Sequence, residues 1–330
     1  MAETNHRITL AQRPVGTPGD ECFASDDVPV PTPGPGEVLV EVGWLSIDPT
    51  IRGWMSQDTY LPAIAFGEPI RSGGIGTVIE SNNDAIPVGA SVFGMTGWQQ
   101  YAVMDAAATV LPDGVEPEAA LSVFGVTGLT AYFGLLEIGQ PQAGDTVLVS
   151  GAAGATGSVV GQIAKIKGCR VVGIAGTDEK CAMLTDEFGF DAAINYRTDD
   201  VRDAIKSTCP GGVDVFFDNV GGDILEAALD NLALRARVVM CGAIAEYNDT
   251  EARPGPSNLT NLIIQRGRME GFIILDFMDR AMDAMLELGA WVLEGKLVYK
   301  TDVVDGLDNA PAALNRLFTG ANLGKVMVKL

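Results

Sequence analysis

The chain has 330 residues, 47% of them hydrophobic, and a formal net charge of −21. That length suffices for two packed domains of ordinary size, and no Lys/Arg cluster breaks the acidic surface, which excludes the phosphate-neutralising footprint of a nucleic-acid binder. No stretch holds 18 consecutive apolar residues, the N-terminus shows no apolar leader core, and five scattered cysteines (Cys22, Cys169, Cys181, Cys209, Cys241) read as reduced thiols of a cytoplasmic protein without a membrane span.

The first 120 residues contain short β-like segments punctuated by Gly and Pro: EVLVEVGWLSI, GIGTVIES, ASVFGM and WQQYAVM. Such spacing predicts a small barrel-like β domain. The only histidine, His6, precedes them in a stretch expected to be flexible and solvated. EAALSVFGVTGLTAYFGLLEIG is then apolar at helical spacing. Strict alternation follows: strand TVLVS, a helix from Ser158, RVVGIA, a helix from Glu179, AAIN, a helix near Val201, VDVFFD, a helix near Ile224, and RVVMCGAI. Fully apolar strands alternating with helices predict a parallel sheet covered on both faces, an α/β doubly wound domain. DFMDRAMDAMLELGAWVLEGKL reads as one amphipathic helix, and GKVMVKL as a last strand placed to return to the first domain. The expected domains are 1–120 completed by 303–330, and 121–302.

Forty glycines are about one residue in eight, against roughly one in fourteen in ordinary usage. The densest group is VSGAAGATGSVVGQIAKIKG, Val149–Gly168. Aligned on Gly154 and Gly157 it reads Ala152-x-Gly154-x-x-Gly157, a G-x-G-x-x-G pattern whose first glycine is alanine. A tight strand-to-helix turn alone would also use glycines. The strand–turn–helix–strand context favours a dinucleotide pyrophosphate, with Gly154, Ala155, Thr156 and Gly157 offering backbone N–H groups at a helix N-terminus.

The next strand tip decides which dinucleotide. A binder of NAD places Asp or Glu there for the ribose hydroxyls. Here Gly176 and Thr177 stand at the tip, leaving room for a 2′-phosphate that Lys180 can neutralise, so NADP is expected. Lys180 is otherwise a solvated helix charge, and Asp178, an acidic residue close to the strand tip, is placed to cap that helix. Tyr196 and Tyr247 both follow strands of the sheet, where ligands sit; a site role and a half-buried aromatic fit each equally. No Cys/His constellation provides a zinc site, so no metal is expected.

SIDPTIRGWM, GVTGLTAYFGLLEIG, the glycine stretch through GTDEK, GFDAAINY, FDNVGG, CGAIAEYN and NLGKVMV together resemble the medium-chain dehydrogenase/reductase superfamily. The likeness is to its zinc-free branch of leukotriene B4 dehydrogenase/prostaglandin reductase-like enzymes, which includes plant alkenal double-bond reductases. SIDP and RSGGIG stand where zinc-dependent members carry metal ligands. The resemblance implies a GroES-like first domain completed by the C-terminal strand, a Rossmann domain between, and a homodimer. It also implies NADPH held by Gly154–Gly157, with Lys180 and Tyr196 beside the 2′-phosphate. Asn219, the segment Cys241, Gly242, Ala243, Ile244 to Tyr247, the backbone of Phe272, Ile273 and Ile274, and Asn322 would hold the nicotinamide half. One residue more than usual separates Lys180 from Tyr196.

The reading is therefore an NADPH-dependent reductase of the C=C bond of α,β-unsaturated ketones or aldehydes, with hydride added at the β-carbon and an enolate to be stabilised. Tyr247 is the candidate catalytic residue, orienting the nicotinamide ribose or the substrate oxygen, and Trp54 and Tyr60 are expected on loops lining the pocket. A quinone reductase with the same cofactor, and a non-catalytic NADPH-binding structural or sensor protein, are the alternatives.

Overall fold

A computed structural model describes residues 4–330. The chain forms two compact units, one reaching to Leu121 and resuming over Thr301–Leu330, the other Ser122–Lys300.

In the first unit β1 (Thr4–Leu10) and β2 (Phe23–Pro29) pair antiparallel, with Arg7 opposite Asp26. This corrects the expectation for His6. It lies inside β1, with its ring nitrogens 2.9 Å from Asp27 and 3.0 Å from Asp308. The stretch is held because Ile8 and Leu10 are buried, and because Asn5 bonds both the carbonyl and the N–H of Tyr101. In chain order follow β3 (Val38–Ser46), the short helix α1 (Ile51–Trp54), β4 (Gly73–Ser81), β5 (Ser91–Met95), β6 (Tyr101–Met104), β7 (Thr109–Val110) and α2 (Pro117–Leu121). β3 pairs antiparallel with β4 and with β6, and β4 carries β5 and then β7. Side chains of β3 feed two cores: Val42 and Leu45 join Leu10, Ile51, Met55 and Trp98, while Val38 and Val40 join Val78, Val92 and Met104.

The second unit opens with α3 (Val126–Phe133), continued by a π-helical turn over Gly134–Gly139. Then come β8 (Thr146–Val149), α4 (Ala155–Ile166), β9 (Arg170–Ala175), α5 (Asp178–Asp186), β10 (Ala192–Asn195), α6 (Val201–Thr208), β11 (Val213–Asp218), α7 (Gly222–Leu229), β12 (Leu232–Met240), α8 (Thr260–Gln265), β13 (Arg268–Gly271) and α9 (Ala281–Leu293). The six strands are parallel in the order β10-β9-β8-β11-β12-β13, the doubly wound Rossmann arrangement, whose order reverses between β8 and β11. Val147, Leu148, Val171, Val172, Phe216 and Phe217 are sealed from solvent, each worth about 1.5–3 kcal/mol of burial.

Four expectations need correction. Helix α4 starts at Ala155, three residues before Ser158, because Gly154 takes the extended N-cap conformation (φ −83°, ψ 176°). β12 stops at Met240, so Cys241–Ile244 form a turn and not a strand end. The long C-terminal helix is divided: Ile274–Arg280 is 3₁₀ and only Ala281–Leu293 is α-helical. α8 and β13 arise from a stretch with no expected element.

The chain then returns to the first unit through β14 (Thr301–Asp305), α10 (Ala310–Thr319) and β15 (Lys325–Lys329). β15 runs parallel to β14 and antiparallel to β3. Lys325 is buried there, its Nζ donating to the Ile47 carbonyl at 3.1 Å and to the Asp48 carboxylate.

Candidate active site

The glycine loop lies at the C-terminal end of β8, beside the switch point. Gly151 has φ +58° and makes the sharp turn, so it does the work usually given to the first glycine of the motif, and Ala152 is fully buried beneath. The other two glycines have separate reasons. A Cβ on Gly157 would sit 2.5 Å from the Gly151 carbonyl oxygen and 2.8 Å from Ala152 Cα, so that glycine is needed for helix–loop packing. A Cβ on Gly154 would meet only the Gly151 oxygen, at 3.2 Å. Its outer face is open, and no side chain caps α4. The first N–H groups of a helix have no partner within it, so Ala155, Thr156 and Gly157 present donors suited to a pyrophosphate.

At the tip of β9 one expectation changes. The space that Gly176 leaves is filled by Tyr196: a Cβ on Gly176 would be 2.8 Å from the Tyr196 hydroxyl. Small size at this position therefore seats the tyrosine. Tyr196 remains 42% exposed and Arg197 lies over its ring, 5.8 Å from the centroid. The cap of α5 is also corrected. Thr177, and not Asp178, is the N-cap, its hydroxyl accepting from the Lys180 N–H at 3.2 Å. Asp178 accepts from Asn195 Nδ2 at 2.7 Å, which holds its carboxylate away from the cap. Lys180, half-buried on the first turn, Arg197 and Tyr196 thus gather at the ends of β9 and β10.

Past the switch point, two turns follow β11 and β12. Asn219 donates its carboxamide to the Ser150 carbonyl at 2.7 Å and its N–H to Ser150 Oγ at 2.8 Å. The Cys241 and Gly242 N–H groups bond the Asp218 carbonyl, and the Ile244 N–H bonds that of Asn219. Tyr247 turns back over this segment: its hydroxyl accepts from the Ala243 N–H at 3.3 Å and lies 3.1 Å from where a Gly242 Cβ would be. Burial, and after it nearby Asp218, push the Cys241 thiol pKa up to about 12. Phe272–Ile274 follow β13, with the Phe272 ring packed edge-on to Phe217 at 6.4 Å.

In the first unit Trp54 ends helix α1 and is 9% exposed, a core residue and not the loop residue expected. Tyr60 is on a loop, 47% exposed, its ring edge-on to Trp54 at 6.1 Å and its hydroxyl 3.0 Å from Thr50 Oγ1. Arg71, not foreseen, lies 5.7 Å from the Trp54 ring centroid. The Asn322 carboxamide donates to the Gly324 carbonyl at 3.1 Å. Among the described residues no group of three or more His, Cys, Asp or Glu side chains is placed to hold a metal.

Two family models match: residues 6–111 that of the N-terminal domain of oxidoreductase, and residues 155–291 that of zinc-binding dehydrogenase. Prostaglandin reductase 1 of Oryctolagus cuniculus is 42% identical, covering 96% of this chain and 91% of its own length. The NADP⁺-dependent 2-alkenal reductase of Nicotiana tabacum is 38% identical, covering 99% and 98%. This chain belongs to the zinc-free medium-chain dehydrogenase/reductase family of alkenal and prostaglandin reductases. The crystal structure of CurA from Vibrio vulnificus in complex with NADPH superposes on it with a TM-score of 0.94 at 41% identity, covering 98% of both chains. The family fold, a Rossmann sheet plus a GroES-like β domain, is that of the two units.

Sequence reasoning missed Ser150, Asn195, Arg197 and Asp218 at this site, and it named Thr177 at the strand tip without its capping role. Each lies inside a segment that carried the resemblance or borders it, and polar residues at strand ends look alike in sequence whether they face water or a neighbouring strand.

Proposed function

We propose that the protein is an NADPH-dependent reductase of the C=C bond of α,β-unsaturated ketones and aldehydes. The observation that carries this reading is full-length similarity to an NADP⁺-dependent 2-alkenal reductase and a prostaglandin reductase, joined to a glycine cradle with an open helix N-terminus at the switch point. The cradle fits a dinucleotide: Gly154 leaves room for a pyrophosphate, and Lys180, Arg197 and Tyr196 form a 2′-phosphate site without an acidic residue at the strand tip. When bound, NADPH supplies the hydride that the β-carbon accepts.

The chain's own residues bind and orient. Amides of Ala155–Gly157 and the N-terminus of α4 take the pyrophosphate charge. Asn219, the Cys241–Tyr247 segment and the Phe272–Ile274 backbone take the nicotinamide half. Hydride addition leaves negative charge on the substrate carbonyl oxygen, which an oriented donor stabilises, and a proton from water then reaches the α-carbon to give the saturated product. Tyr247 steadies that oxygen or the nicotinamide ribose from a turn that its hydroxyl itself braces. Tyr60 and Arg71, packed against the buried Trp54, face the substrate side.

The first unit is the GroES-like substrate domain and Ser122–Lys300 the cofactor domain. The protein works as a homodimer: β13 leaves one edge of the six-stranded sheet unpaired, and α8, packed on β12, exposes Ile263 (77%) and Ile264 (61%). Five free cysteines suit the reducing cytoplasm.

The test is NADPH oxidation against alkenals, enones, fatty-acid enones, enoyl-CoA thioesters and quinones, with product analysis. Saturated ketones or aldehydes are expected. Hydroquinone as the only product would make this a quinone reductase, and tight NADPH binding with no turnover would make it a sensor.

A further inference from the structure

Asp218 ends β11 fully shielded from solvent. Its hydrogen-bond donors are uncharged: Ser150 Oγ at 2.7 Å, the Val220 N–H at 3.0 Å, and the Gly221 N–H at 3.1 and 3.2 Å from the two carboxylate oxygens. Holding a carboxylate out of water on neutral donors is costly, and burial pushes its pKa up. The turn wraps over it because Gly221 and Gly222 take positive φ, +73° and +54°.

The Ser150 bond spans the switch point from β8 to β11, and the Val220 and Gly221 bonds close the turn after β11. The Ser150 hydroxyl donates to Asp218 while its oxygen accepts the Asn219 N–H, and the Ser150 carbonyl takes the Asn219 carboxamide. The Asp218 carbonyl accepts the Cys241 and Gly242 N–H groups at 2.9 and 3.1 Å. One residue therefore ties the end of β8 to the turn after β11 and to the turn after β12. None of the bonds named above goes to β9 or β10, on the adenosine side of the sheet.

We propose that Asp218 is a positioning residue for the nicotinamide half of the cofactor, acting through Ser150 to fix the Asn219 side chain and the two turns. This rests on the cofactor assignment above, and a split ligand separates the two. NADPH spans both halves, whereas 2′,5′-ADP occupies only the adenosine 2′-phosphate side.

Both ligands are titrated by calorimetry into wild type, Asp218→Asn and Ser150→Ala as full-length protein. In Asp218→Asn the carboxamide oxygen can take the place of Oδ1, but the negative charge is lost and the NH2 that replaces Oδ2 faces the Gly221 N–H, so NADPH affinity should fall about tenfold or more, with 2′,5′-ADP affinity within twofold of wild type. The fluorescence of saturating bound NADPH should shift toward that of the free molecule, which a loss of stability alone does not cause. Ser150→Ala, a milder change that carries the test where Asp218→Asn fails to fold, should show the same split at about threefold. The double variant should be no worse than Asp218→Asn, because both act through one network. Equal losses for the two ligands, or unchanged NADPH affinity and fluorescence, would overturn the proposal. Failure of wild type to bind 2′,5′-ADP would overturn the cofactor assignment and the proposal with it.

Discussion

Gly154→Val and Gly157→Ala should fail in opposite ways. At Gly157 the new Cβ lies 2.5 Å from the Gly151 oxygen, 2.8 Å from Ala152 Cα and 3.0 Å from the Gly151 carbonyl carbon. All three are backbone atoms, so the loop must move, and such overpacking costs about 1–3 kcal/mol. For a unit of this size each kcal/mol lowers Tm by about 2–4 °C, so a fall of roughly 2–12 °C is expected. At Gly154 the only close atom is the Gly151 oxygen at 3.2 Å, and the backbone is already extended. Valine tolerates that conformation and loses only the N-cap preference of glycine, about 1 kcal/mol or less. Its branched side chain instead covers the open face of the loop. Loss of one charge-assisted amide–phosphate bond, about 1.5–3 kcal/mol, raises the NADPH Kd roughly tenfold to a hundredfold. Thermal melts and NADPH fluorescence titrations read both effects. Wild-type NADPH affinity in Gly154→Val, or a melting loss as large as that of Gly157→Ala, would refute the division of labour.

Lys180→Ala should raise the KM for NADPH about tenfold or more and leave that for NADH nearly unchanged, the loss of one charged contact to the 2′-phosphate; equal changes for both cofactors in steady-state assays would return Lys180 to a purely structural role. Tyr247→Phe should lower turnover by up to about tenfold through loss of one oriented hydrogen bond, and unchanged kinetics across the substrate panel would remove Tyr247 from the site. His6 has its pKa raised by its bonds to Asp308 and then Asp27, so the protonated form stabilises the fold. That contribution is complete below the ordinary imidazole pKa near 6.5 and is lost as pH rises through the higher folded value. The carboxylates are largely exposed, which limits it to less than about 1 kcal/mol. The melting temperature of wild type minus that of His6→Gln should therefore shrink from pH 6 to pH 8; a difference that grows with pH would contradict the assignment.

The parallel sheet was legible because its central strands are short runs of residues sealed on both faces, as Val147–Val149 and Val171–Val172 show. β1 was not, since Asn5 and His6 look like loop residues until Tyr101, Asp27 and Asp308 stand beside them. Apolar period misjudged Ile274–Arg280, because a 3₁₀ turn and an α-helix use similar spacing over seven residues and stacking of Phe277 on Phe133 at 5.0 Å is a tertiary contact. The glycine loop was readable as a strand-to-helix turn from its pattern, while the reason for Gly176 was not: the occupant of its space, Tyr196, lies twenty residues on. Asp218 was hidden for a related reason. An acidic residue ahead of Asn-Val-Gly-Gly reads as a solvated turn, and only the pairing of β8 with β11 brings Ser150 to it.

The most direct measurement is the fate of deuterium from NADPH labelled at both C4 positions of the dihydronicotinamide, in a single-turnover reaction with an α,β-unsaturated ketone. The account predicts a saturated ketone carrying deuterium at the β-carbon and none at the carbonyl carbon. Deuterium at the carbonyl carbon of an allylic alcohol, or a saturated product without label, would contradict it.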